Sequence, residues 1–138
     1  MPDCSLFSHG WLPSQLTVPA EQALNVLRQS EVRVLSPAVL VTEFSSLLRK
    51  LMARRQVERA LADRLLRDLL SFRIELVPTD EQLLLRAWDI ATDLGQSDTF
   101  DALGYATAEA YGAEFWTCDR RLANAAAGRD YPRLRFIP

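Results

Sequence analysis

The stretch EFWTCDRRLANAAAG, residues 114–128, decides the fold. Glu114–Cys118 is dense in aromatic and apolar residues and reads as a buried strand. Asp119 follows it directly, and Asp119–Ala127 reads as a short helix. A strand that hands over to a helix through an acid suits a parallel sheet, where ligands bind in the crevice beyond the carboxyl ends of the strands.

Working outward, the same strand and helix pattern fills the chain. Arg133–Ile137 is a final strand, and Asp98-Thr-Phe-Asp101 opens a helix through Tyr111 that Gly112 closes. Thr79-Asp-Glu-Gln82 has the form of a capping box for a helix through Leu94, with Gly95 as its stop. Arg73–Val77 alternates like a strand and Pro78 ends it. Two long helical patterns precede it, AVLVTEFSSLLRKLMARR from Ala38 and VERALADRLLRDLLSF from Val57. Ser36-Pro37 is an N-cap and N1 pair for the first of them. Val32–Leu35 reads as a strand, and Pro19 opens a helix through AEQALNVLRQS. Asp3–Leu6 is a short opening segment, followed by a loop with Gly10 and Pro13. Strands alternating with helices predict a mainly parallel sheet covered on both faces. With 138 residues and no repeat or linker, residues 1–138 form one domain.

Composition removes several function classes. Nothing approaches the roughly 18 apolar residues of a membrane span, and MPDCSLFSHGWLP lacks the pattern of a secretory signal. The expected location is the cytoplasm. The two cysteines, Cys4 and Cys118, form no CxxC pair, which argues against a zinc site or a disulfide framework. The single histidine, His9, excludes a two-histidine ribonuclease within one chain and gives no support to a Ser/His/Asp triad. Net charge −2 means that any nucleic acid must be held by local patches or bound cations. Carboxylates remain as the chemical resource. A receiver-like signalling domain also clusters acids, but its downstream lysine is missing, since Lys50 lies in the wrong place.

Asp3 and Asp119 sit where strand ends would present them to the crevice, although an aspartate at such a junction also serves as an N-cap. Glu43 has Val39, Leu40, Ser46 and Leu47 at i±3 and i±4, so it lies beside the apolar stripe and away from Arg49, Lys50, Arg54 and Arg55. A glutamate there is either at a helix edge or held by a cation. Asp98 fits an N-cap and Asp101 the N3 position of the next helix, which explains both without catalysis.

Taken in order, several short motifs resemble the PIN-domain family, and more closely its VapC-like toxin ribonucleases. They are D-C-S at Asp3–Ser5, W-L-P at Trp11–Pro13 and S-P-A-V-L-V-T-E-F at Ser36–Phe44. F-D-A-L at Phe100–Leu103 and T-C-D-R-R-L at Thr117–Leu122 complete the set. The resemblance implies a three-layer α/β/α fold with a parallel sheet. It also implies an acidic pocket that binds Mg²⁺ or Mn²⁺ and hydrolyses RNA phosphodiester bonds. By position Asp3, Glu43, Asp101 and Asp119 match the family's acidic quartet, with Ser5 and Thr117 as supporting hydroxyls. Asp98 stands where Ser or Thr is common and reads as a cap or an added ligand. Hard divalent ions suit such oxygen donors and acidify water for attack on phosphate. Arg120 and Arg121 are candidates to hold the scissile strand, against the plainer reading of exposed surface arginines. The resemblance further implies an antitoxin partner and a homodimer. A surplus of leucine over residues 37–72 gives that shared surface a place.

The chain also departs from the pattern. Only Met1 and Pro2 precede Asp3, where family members carry an apolar first strand, and proline fits poorly in a central strand. This supports the alternative of a catalytically weak PIN-like module that binds RNA or protein. Gly104 replaces a bulkier residue within a helix. Strand alternation predicts that Cys4 and Cys118 are reduced thiols facing away from the acids.

Overall fold

A computed structural model describes residues 1–138. In chain order the elements are α1 (Cys4–Trp11), α2 (Thr17–Gln29), β1 (Leu35–Pro37), α3 (Val39–Ala53), α4 (Arg59–Ser71), β2 (Glu75–Val77), α5 (Glu81–Leu94), α6 (Phe100–Ala110), β3 (Phe115–Thr117), α7 (Arg120–Ala126) and β4 (Leu134–Phe136). β1 pairs with β2 in parallel, Ser36 opposite Leu76, and β3 pairs with β4 in parallel, Trp116 opposite Arg135.

Residues 1–3 lie between these two pairs. Trp116 N–H donates to Met1 O at 2.8 Å and Asp3 N–H donates to Trp116 O at 3.1 Å, which makes a parallel bridge to β3. Because peptide groups alternate along an extended chain, those two contacts turn the backbone of Pro2 toward β1. Proline has no N–H to give on that side. Ser36 Oγ donates to Pro2 O across that gap at 3.4 Å. Pro37 of β1 lacks an N–H on the facing side as well, since Val34 O and Ala38 N–H are turned to β2, so the interruption of the sheet between residues 1–3 and β1 follows from both prolines.

Side chains above and below this sheet form two separate apolar cores. Leu35, Val77 and Phe115 pack with α5, α6 and α7. Val34 and Cys118 pack with α1, α2, α3 and α4, with Trp116 at the margin. Neighbouring residues such as Val34 and Leu35 thus serve opposite faces, as the pleat requires. The result is the α/β three-layer arrangement with parallel pairing.

Several local expectations need correction. Cys4–Trp11 is helical, not an extended segment followed by a loop. Asp3 starts it by accepting the Leu6 N–H at 2.8 Å. Gly10 belongs to that helix for a packing reason, since a Cβ there would meet Leu24 Cδ1 at 2.6 Å on α2. Ser36 and Pro37 lie in β1 rather than capping α3, whose N-cap is Ala38 with no side-chain bond. Helix α2 begins at Thr17, ahead of Pro19, which sits in the first turn where its missing N–H has no intrahelical partner to lose. Asp80, not Thr79, caps α5 by accepting from Leu83 N–H at 2.9 Å, while Gly95 closes it at φ 65° as expected. Thr99 is the N-cap of α6, which puts Asp101 at N2 instead of N3.

Gly104 acquires a reason. A Cβ at that position would overlap the Phe115 ring, so glycine lets α6 settle directly on β3. The leucines of α3 and α4 mostly enter the second core, and Leu70 is the one large hydrophobic residue of these helices left exposed. The more exposed apolar face lies on α5, at Leu84, Leu85 and Trp88. No helix is long and apolar enough to cross a membrane.

Candidate active site

Two adjoining cavities open where the first strand segment, β3 and the starts of α6 and α7 come together. The larger, about 530 Å³, is lined by Glu43, Asp98, Asp101 and Asp119 together with Cys4, Ser5, Lys50 and Phe100. The smaller, about 330 Å³, shares Asp98, Asp101 and Asp119 and adds Gln96 and Arg121. Four of the acids singled out in the sequence therefore share one depression, each carried by a different local device. Glu43 projects from the middle of α3, and Asp101 from the first turn of α6. Asp119 is the N-cap of α7, its Oδ1 accepting from Arg121 N–H at 2.7 Å and Leu122 N–H at 3.2 Å. Asp98 Oδ1 accepts from Phe100 N–H at 3.3 Å in the turn before α6.

Asp3 lies beneath this depression rather than on its wall. It is 7% exposed, and its carboxylate is taken up locally. Ser5 Oγ lies 2.8 Å from both oxygens, and Oδ1 also receives the Leu6 N–H. Ser5 Oγ accepts in turn from Cys118 N–H at 2.8 Å and lies 3.2 Å from Thr117 Oγ1, which accepts from Asp119 N–H at 2.9 Å. Ser5 and Thr117 thus tie Asp3, on one strand, to the end of β3 where Asp119 begins.

The electrostatics set these acids apart. Burial, first, then the charges of Asp101, Asp3 and Asp98 push the Glu43 carboxyl up to about 7, and Lys50 opposes the shift. Burial followed by Asp3, Asp119 and Asp98 pushes Asp101 up to about 7, opposed by a 3.2 Å hydrogen bond from Gln96 Nε2 to Oδ2. Burial pushes Asp3 up to about 6 despite the bonds around it. Lys50 offsets only part of the burial and repulsion, so these carboxyls lack enough compensating positive charge.

Whether a divalent cation suits these residues can be judged from the donors. The cavity offers hard carboxylate oxygens, and Gln96 Oε1 is a buried amide oxygen without a hydrogen-bond partner next to Asp101. Both favour Mg²⁺ or Mn²⁺ over softer ions. As the side chains stand, no three His, Cys, Asp or Glu residues close around a single point. Mg²⁺ keeps several waters when protein-bound, so a wide carboxylate set still fits it.

Some placements differ from the sequence reading. Lys50 shares the cavity with Glu43; seven residues is two helical turns, so both fall on one face of α3. Arg120 stacks its guanidinium over the Phe136 ring at 5.3 Å, while Arg121 lines the smaller cavity. Cys4 and Cys118 are buried free thiols, but Cys4 lines the acidic cavity instead of facing away. It sits on a helix, where strand alternation has no bearing. Gln96 and Phe100 were not singled out in the sequence. For Gln96 no local pattern marks the role, because the loop between α5 and α6 places it.

The layered α/β architecture and the acid-lined crevice define a compact domain of the carboxylate-cavity type. The PIN domain profile matches residues 1–128, and the chain belongs to the PIN domain family. Among solved structures, it is similar to VapC20 of Mycobacterium tuberculosis, described as a sarcin–ricin loop cleaving toxin. That match has TM-score 0.68 and 18% identity over 96% of this chain and 97% of the other. PAE2754 of Pyrobaculum aerophilum is similar at TM-score 0.64 and 21% identity, over 93% of this chain and 79% of that one. No curated protein matches in sequence.

Proposed function

We propose that the protein is a Mg²⁺- or Mn²⁺-dependent endoribonuclease whose site consists of Asp3, Glu43, Asp101 and Asp119. The observation that carries this reading is the shared depression at Glu43, Asp101 and Asp119 with buried Asp3 beneath it, where burial and mutual repulsion push Asp3, Glu43 and Asp101 to about 6, 7 and 7. Glu43 and Asp101 are the nearest ligands in this reading, directly or through water. Asp119 keeps its second oxygen free of the helix cap and orients water or a second ion. Asp3 acts from below, held by Ser5 and linked through Thr117. A bound divalent ion supplies acidified water and positive charge opposite the phosphate oxygens. Asp98 stays a turn residue at the rim, and Arg121 holds the RNA backbone on the side of the smaller cavity. Arg120 is left with its stacking on Phe136.

VapC20 is described as a toxin, and on that likeness an antitoxin partner in the cytoplasm and a homodimer belong to the same reading. The exposed α5 face at Leu84, Leu85 and Trp88 is a more suitable surface for a second chain than α3 and α4.

The test is RNA cleavage with Mg²⁺ or Mn²⁺ by the unmutated protein, by Asp101→Asn and in EDTA. Loss of cleavage in both controls supports the reading; cleavage that survives both sinks it. A second reading, a PIN-like binding module without effective catalysis, draws on Pro2 and on the occupied carboxylate of Asp3. Failure to bind Mn²⁺ near Glu43 and Asp101 favours that module.

A further inference from the structure

Outside the acids, the larger cavity has two walls of different chemistry. Thr42, Ser46 and Lys50 line it from α3. Their i, i+4, i+8 spacing puts them in one stripe, about 6 Å apart per step. The hydroxyls of Thr42 and Ser46 have no hydrogen bond within the protein, and Lys50 belongs to none of the five ion pairs, which use Arg33, Arg59, Arg86, Arg129 and Arg135. The same cavity is lined from α6 by Phe100, the first residue of that helix, 44% exposed and adjacent to Asp101. Isolated exposed apolar residues are common. This one lines the same cavity as the chain's single lysine and the acids.

We propose that this wall is a binding subsite for single-stranded RNA, in which an unpaired base stacks on Phe100 while Lys50, with Thr42 and Ser46, holds the adjoining phosphate. The substrate class follows from the surfaces. A phenyl face accepts a base only when that base is splayed out of a duplex. A lysine flanked by free hydroxyls offers phosphate a charge and donors, whereas the neighbouring carboxylates repel it. The two cavities meet at Asp98, Asp101 and Asp119, with Lys50 on one side and Arg121 on the other. An RNA strand gripped at both ends therefore crosses the acids. This inference rests on the nuclease reading and assigns the residues that hold its substrate beside the acids.

The experiment measures binding of a labelled, unstructured oligoribonucleotide by fluorescence anisotropy, with Ca²⁺ in place of Mg²⁺ or Mn²⁺, and binding of a duplex of the same sequence. Phe100→Ala is expected to weaken single-strand binding about 5- to 150-fold, the range for loss of one stacked base. Phe100→Trp restores it, which separates stacking from a folding defect. Lys50→Ala is expected to reduce the slope of log affinity against log salt by about 0.7, the value for one phosphate contact on a single strand. Arg67→Ala, a remote exposed cation on α4, leaves that slope unchanged. Unaltered affinity in Phe100→Ala, equal dependence on Phe100 for the duplex, or no single-strand binding by the unmutated protein overturns the subsite. Cleavage with Mn²⁺ that is indifferent to both residues overturns the subsite alone. Binding that depends on both residues, in a protein that cleaves nothing, supports the subsite and removes the nuclease reading.

Discussion

Replacing Asp101 by asparagine should stabilise the metal-free protein while removing its activity. The Asp101 carboxyl rises from 3.8 to about 7 on folding, chiefly by burial and then by Asp3, Asp119 and Asp98. The folded state therefore holds its proton more tightly than the unfolded one, and stability falls as pH rises through the window from about 4 to about 7. Below that window the penalty vanishes; above it the penalty is complete. About three pH units at about 1.4 kcal/mol each give a ceiling of about 4 kcal/mol. Asp101 still reaches water, and Glu43 and Asp3 titrate with it, so the gain expected at pH 8 is about 1–3 kcal/mol. The asparagine oxygen can still accept from Gln96, which keeps the local geometry. Urea unfolding in EDTA at pH 8 and at pH 4 is the assay. The variant should be the more stable protein at pH 8, with the gap nearly closed at pH 4. Addition of Mn²⁺ should reverse the order, because ligand binding stabilises only the protein that binds it, by about 4.1 kcal/mol at a thousandfold excess over Kd. Equal stabilities at pH 8, or a gap as large at pH 4, would refute the account of Asp101 as a carboxylate held in an uncompensated charged site.

Gly104→Ala should destabilise the fold by about 1–3 kcal/mol, since overpacking against the Phe115 ring outweighs the roughly 1 kcal/mol gain in helix propensity; a melting temperature equal to that of the unmutated protein would mean that the ring yields. Gln96→Ala should lower Mn²⁺ affinity about 10- to 100-fold by freeing the Asp101 carboxylate, as loss of a supporting bond does at other metal sites; calorimetric titration checks it, and unchanged affinity would assign Gln96 a packing role only. Burial and the charges of Glu43, Asp3 and Asp101 raise the Cys4 thiol, and burial pushes Cys118 up to about 12. Iodoacetamide at pH 7.5 should therefore label both slowly in the native protein and quickly in urea, followed by mass spectrometry; rapid native labelling of Cys4 would contradict its environment.

Much of the architecture was legible because strand and helix periodicities differ. The run 114–127 announces strand β3, the acid and α7 in their correct order, and Gly95 announces its helix end. What local pattern missed was decided by tertiary contact. Gly10 looked like a loop residue, but it is the thin point of α1 against α2. Gly104 looked like a defect in α6 until Phe115 was placed beneath it. Ser36-Pro37 has a capping sequence, yet pairing with Leu76 and Val77 draws it into β1. Lys50 was separable from the other basic residues by helix angle alone, since position i+7 returns to the face of Glu43. Gln96 and Phe100 carried no such mark, because one lies in a loop and the other resembles any exposed aromatic residue.

Among the acids, the capping and cation-binding readings are not rivals at every position. Asp119 satisfies two amides of α7 with Oδ1, and its other oxygen remains available. Asp3 starts α1 by accepting the Leu6 N–H at Oδ1, and both its oxygens lie 2.8 Å from Ser5 Oγ and share its one proton, so much of its carboxylate serves the fold. Asp98 closes a turn. Glu43 and Asp101 are different. Neither caps a helix, both lie in a cavity with other carboxylates, and both are pushed up to about 7. A fold gains nothing by placing two uncompensated carboxyls together, because burial and repulsion both oppose it. A positive charge brought from outside the chain relieves that opposition. The chemistry of the proposed nuclease therefore depends first on Glu43 and Asp101, while Asp3 and Asp119 join the site from positions where they also start α1 and α7.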